Sequence, residues 1–152
     1  MNKINLILII FFASIVYPQS SIIQNLIKTT KSINVEEQKN LNRAKSHEKA
    51  GLIKEADLIY LQLFKKNPSS KEIFSSYKIF LKKQKNWDEL IAISKIYAEN
   101  VTDSPYGKLA LADTYLITGE NEQAYSIFDD LFNSYSLDMK ILKQFISKLI
   151  YN

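Results

Sequence analysis

The sequence predicts an all-α chain built as stacked helical hairpins, and three observations carry that prediction. Ala44, Gly51, Ala56, Tyr60 and Leu63 are answered by Ala112, Gly119, Ala124, Phe128 and Leu131, two periods of 34 residues later without an insertion. The 152 residues contain only three Gly and three Pro, so the frequent turn signals of an all-β chain are missing. Within each period, apolar residues recur at helical spacing, as in Ala56, Ile59, Tyr60, Leu63 and Phe64. A fixed period of this length marks helical units that stack, because one hairpin cannot bury its apolar face alone. A hydrophobic content of 46%, with 12% aromatic residues, suffices for a packed core in a chain of one-domain length.

The amino terminus reads as an address. Met1 to Lys3 is a short positive start, and an almost wholly apolar run from Ile4 to Val16 is followed by Tyr17-Pro18-Gln19-Ser20. That order predicts a signal peptide over residues 1–20. The run falls short of the ~20 residues of a comfortable membrane span. If retained, residues 4–16 supply a membrane tether. Either outcome makes the chain an exported protein of the periplasm or cell envelope. Residues 21–36, with Ile22, Ile23, Leu26, Ile27 and Ile33, read as an N-terminal helix or linker.

Residues 37–138 then divide into three units of 34, at 37–70, 71–104 and 105–138, each splitting into two amphipathic helices. In the first unit Leu41, Ala44 and Glu48 lie on successive turns of one helix, which Ala50-Gly51 breaks. The second helix stops at Asn67-Pro68, since Pro lacks an N–H and biases its predecessor out of the helical region. Asn34 with Glu37, Ser69 with Glu72, and Asn86 with Glu89 each place a capping oxygen three residues before a Glu. Ser104-Pro105 offers a cap followed by Pro at the first helical position. The middle unit is a degraded copy, with Lys78, Lys85, Leu90, Ser94 and Tyr97 in the recurrent slots, and Trp87 is expected to fill space there. Residues 139–152 continue the phase as a C-terminal capping helix with Leu142, Phe145, Ile146 and Leu149 on one face. Its other face, with Ile141, Ile150 and Tyr151, offers a route to self-association.

These residues closely resemble the tetratricopeptide repeat family. Small Ala44, Ala112, Ala56 and Ala124 stand where that family's helices cross, Gly51 and Gly119 stand in the turns, and Tyr60, Tyr115 and Phe128 stand in the aromatic wedges, with Pro68 as a terminal Pro. The resemblance covers about 100 of the 152 residues and departs mainly at Lys78, Lys85 and Leu90. It implies a right-handed α-solenoid of three repeats with flanking cap helices, whose concave groove binds a protein or peptide. By the repeat phase the groove candidates are Leu41, Lys45 and Lys49 in the first unit, Ser75, Ile79 and Lys82 in the second, and Tyr106, Leu109, Asp113 and Leu116 in the third. An alternative is that the apolar members pack on the cap helices. Leu41, Ser76, Tyr106 and Ala110 occupy positions where some family members grip a C-terminal carboxylate, so that activity is not implied.

Nothing in the pattern points to catalysis. With no Cys there is no disulfide, thiolate site or thiol nucleophile, and the single His47, in the slot of Tyr115, reads as a packing residue. No phosphate-cradling Gly loop or nucleophile elbow occurs, so neither enzyme activity nor a cofactor or metal is expected. The formal charge of +4 is segregated: seven Lys between Lys65 and Lys85 face Glu72 alone, and ten acids between Asp88 and Asp138 face Lys95 and Lys108. A long acidic stretch beside the basic one argues against a nucleic-acid partner. The expectation is a non-enzymatic adaptor or scaffold of the cell envelope. The alternatives are a membrane-anchored assembly component and an RNA-binding helical repeat.

Overall fold

Capping decides where the first helix starts. Asn34 sits in extended backbone at φ −80° and ψ 171°; its Oδ1 accepts the Glu37 N–H at 2.8 Å, while the Asn34 N–H donates to Glu37 Oε2 at 3.0 Å. This reciprocal pair satisfies N–H groups that no helical carbonyl reaches. The computed structural model describes residues 33–134. Among them stand six helices and no strand: α1 Val35–Lys49, α2 Ile53–Lys66, α3 Lys71–Gln84, α4 Trp87–Asn100, α5 Tyr106–Thr118 and α6 Asn121–Ser134. The chain is all-α. None of the described helices is long and apolar enough to cross a membrane. The readings made on residues 1–20, on 21–32 and on 139–152 lie outside the described residues. Val35 and Glu36, the last residues of the segment read above as an N-terminal helix or linker, form the first turn of α1.

The period of 34 is written into the backbone. Among the described residues positive φ occurs at Gly51 (76°), Lys85 (56°) and Gly119 (86°), each 34 residues from the next. A Cβ added at Gly51 or Gly119 would meet nothing within 4 Å, so glycine serves there through its freedom to adopt positive φ. Lys85 takes the same left-handed turn with a Cβ, at a cost of roughly 1–2 kcal/mol.

Two starts differ from expectation. Helix α3 is capped by Ser70 and not Ser69: the Ser70 N–H donates to Asn67 O at 3.1 Å, and this turn after Pro68 carries Ser70 Oγ to the Ile73 N–H at 3.4 Å. Pro105 occupies the cap position of α5 itself, at φ −66°, and that end has no side-chain cap bond. Asn86 caps α4 as expected, accepting from the Glu89 N–H at 3.4 Å.

Each helix packs chiefly on the helices before and after it in sequence. The recurrent slots form the contact faces: Ala44, Ala56, Leu90, Ser94, Ala112 and Ala124 are wholly buried, and Tyr60, Leu63, Tyr97, Phe128 and Leu131 nearly so. Rings link α2 to α4: Tyr60 stacks on Tyr77 at 5.6 Å, Phe64 lies 6.3 Å from Phe74, and Phe74 stacks flat on Tyr97 at 4.0 Å. Helices α4 and α5 lie close together along an extensive contact, with Ser94 Oγ 2.8 Å from Thr114 Oγ1. At Gly107 a Cβ would come within 2.7 Å of Val101 O and 3.0 Å of Ala98 Cα, so only glycine lets α5 lie this close to the end of α4. Trp87 does not fill space: it opens α4 and remains 37% exposed.

Candidate functional site

A groove of about 550 Å³ opens between α3 and α5. Its floor comes from the register of α3, which places Phe74 and Lys78 four residues apart on one face. Phe74 is buried by its stack on Tyr97, and Lys78 extends over the Phe74 ring, its Nζ 5.8 Å from the centroid. Lys78 Nζ donates to Asp113 Oδ2 of α5 at 2.8 Å and to Ala110 O at 3.4 Å, so the ammonium ties the two walls together. The side chains of Lys78 and Asp113 are only 14% and 18% exposed, which places this pair well out of solvent. Ile79, Tyr106, Leu109 and Ile117 give the walls their apolar surface. Lys71 and Lys82 stand at the rim, both exposed, and Lys71 Nζ lies 5.9 Å from the centre of the Tyr106 ring.

Of the ten candidate residues, Ser75, Ile79, Lys82, Tyr106, Leu109 and Asp113 line this groove. Leu41 is a correction: it is wholly buried in the core cluster with Ala44, Ala56 and Tyr60, because its face of α1 is the one that meets α2. Leu116 lies off the groove, half-buried against the cluster of Ala112, Tyr115, Ala124 and Phe128. Lys45, half-buried, and Lys49, exposed, sit on α1 away from the groove. Sequence reasoning missed Phe74, Tyr97 and Lys78. Lys78 was read as a small residue gone bulky, yet its spacing from Lys71 and Lys82 on one face of α3 signalled a shared row.

Elsewhere, buried hydroxyls hold the aromatic core to its polar edge. Tyr60 donates to Glu48 Oε2 at 3.2 Å, and Lys83 Nζ donates to Glu48 Oε1 at 2.7 Å. Tyr77 donates to Asp57 Oδ1 at 2.9 Å. Burial, with the Glu48 charge and hydrogen bond behind it, holds the Tyr60 hydroxyl well above its ordinary range. Burial first, then the Asp57 hydrogen bond and the charges of Asp57 and Glu89, do the same to Tyr77. Burial alone raises Tyr97. His47 is half-buried in the last turn of α1. Among the described residues no three His, Cys, Asp or Glu side chains stand together in a way that could hold a metal ion.

The groove thus supplies an apolar trough, an internally neutralised floor and a positive rim. Comparison with models of protein families, with curated proteins and with solved structures gives no match for this chain.

Proposed function

We propose that this chain is an exported, non-enzymatic helical-repeat adaptor of the tetratricopeptide type, and that the groove between α3 and α5 binds a protein or peptide segment. The observation that carries the reading is the groove itself, where exposed Ile79 and Tyr106 sit beside half-buried Leu109 and Ile117 under the rim lysines Lys71 and Lys82. An extended or helical segment fits such a trough by placing apolar side chains along it and charges at its edge. The repeat assignment is supported by the positive-φ turns at intervals of 34 and by packing in chain order. Export rests on the address over residues 1–20, and intact mass of the protein recovered from envelope tests whether that segment is removed.

The groove reading is tested by a photo-crosslinking side chain placed at Ile79 or Tyr106, with Leu58, 56% exposed on α2, as the control. Adducts are expected at the two groove positions and not at Leu58, and Ile79→Asp should suppress the adduct formed at Tyr106. The same adducts at all three positions would sink the assignment.

A further inference from the structure

Resting on that reading of the groove, we infer that its occupant is a second copy of this chain, docked through the outer face of α6. The chain then associates head to tail. Two surfaces of one molecule carry the inference.

The first is on α6. At about 100° per residue, Glu122, Tyr125, Asp129 and Phe132 fall within ~80° of one another around the helix. All four are exposed, Tyr125 at 51% and Phe132 at 57%. The 34-residue phase places Phe132 where the first unit has Phe64. Phe64 is buried, with ring centroids 6.3 Å from Phe74 and 6.4 Å from Tyr77 on the next helix. The equivalent of the position that anchors α2 to its neighbour is therefore an exposed ring on α6, in a stripe where aromatics alternate with acids.

The second surface is the groove wall on α3, where Lys71, Ser75, Ile79 and Lys82 share one face and Ile79 is 56% exposed. The patches match in kind and oppose in sign. With the helices antiparallel and Glu122 facing Lys82, Tyr125 lies over Ile79, Asp129 falls opposite Ser75 one turn from Lys71, and Phe132 reaches the Tyr106 end of the groove. Asp130, one residue away, already pairs with Lys108 and takes no part. The aromatics supply desolvated contact area, while the charged pairs at the rim set register and speed encounter. Since the two patches differ, each bound copy still has one free groove and one free α6 face, so the assembly grows into open chains or rings.

Sedimentation velocity of the full chain across a concentration series tests this. The average mass should rise with concentration and fall back in high salt. The groove variant Lys71→Glu with Lys82→Glu, and the α6 variant Glu122→Lys with Asp129→Lys, should each weaken association by about tenfold or more. An equimolar mixture of the two should associate again into alternating chains, because the groove of each variant then meets an α6 face of opposite sign on the other. Carrying all four reversals in one chain should restore association, which also shows that the reversals leave the fold intact. A monomer at every concentration, or association indifferent to both reversals, overturns the inference. If a monomeric chain still gives groove-specific adducts with another protein at Ile79 and Tyr106, the groove stands and only the occupant is wrong. Loss of both removes both.

Discussion

Tyr77 shows how a single side chain couples the core to pH. It is wholly buried, stacked on Tyr60, and its hydroxyl donates to Asp57. The folded pKa of Tyr77, like that of Tyr60, is raised above the ordinary 10.0. Below that value both folded and unfolded chains hold the proton and the stabilisation is complete. Above it the unfolded chain loses a proton that the folded chain keeps, so stability falls by about 1.4 kcal/mol per pH unit for each such tyrosine. Urea melts from about pH 9 to about pH 12 should show this decline, and Tyr77→Phe should make it shallower by one tyrosine's share. At neutral pH the same variant should cost roughly 0.5–1.5 kcal/mol through the lost hydrogen bond. Equal alkaline slopes in the two proteins would mean that Tyr77 ionises in place. That Tyr60 is a wedge was legible in the sequence from its recurrence as Phe128. The Tyr77 bond to Asp57 was not, because neither residue belongs to the recurrent set and their meeting depends on how α3 turns against α2.

At the scale of the element, the helices were legible where chemistry acts over three or four residues. Asn34 with Glu37, Asn86 with Glu89, and the stop at Asn67-Pro68 all follow from local geometry, and all appear. The start of α3 was misread by one residue, since choosing between Ser69 and Ser70 depends on the turn closed by the Ser70 N–H on Asn67 O. The groove candidates divide in the same way. Ile79, Lys82, Tyr106 and Asp113 followed from phase along their helices, whereas placing Leu41 required knowing which face of α1 meets α2. The turn at Lys85 carries the element-scale prediction. Its phase equivalents Gly51 and Gly119 adopt the same left-handed backbone, and Lys85 does so with a Cβ. Lys85→Gly should therefore raise stability by up to about 1 kcal/mol, reduced by the greater freedom glycine has when unfolded. Thermal melts check this, and a variant less stable than the parent would show that the lysine side chain contributes more than its backbone strain costs.

Among the described residues, cohesion is uneven, and that sets which of these helices opens first. One large cluster joins α1 to α4 through Leu41, Tyr60, Phe64, Phe74, Tyr77, Phe80 and Tyr97. A separate, smaller one joins α5 to α6 through Ala112, Tyr115, Ala124 and Phe128. Helix α5 is further tied back by the Ser94–Thr114 hydroxyl pair, the Lys78–Asp113 bridge and the close approach at Gly107. Helix α6 has the Lys108–Asp130 pair, at the exposed surface, where such pairs contribute little. Segments with few buried apolar contacts open locally at free energies below the global value. Amide exchange in α6 should therefore run ahead of exchange in α2 and α3, with α5 between. Leu131, 2% exposed, is the sharpest probe. Leu131→Ala should cost roughly 2–5 kcal/mol locally, stripping most of the protection from α6. Leu63→Ala, in the same phase of the first unit, removes a side chain from the large cluster and should lower protection across α1 to α4 together. Exchange read peptide by peptide separates the two variants. If Leu131→Ala lowered protection equally from α1 to α6, the helices would open as one cooperative unit and the division of the core would have no energetic meaning.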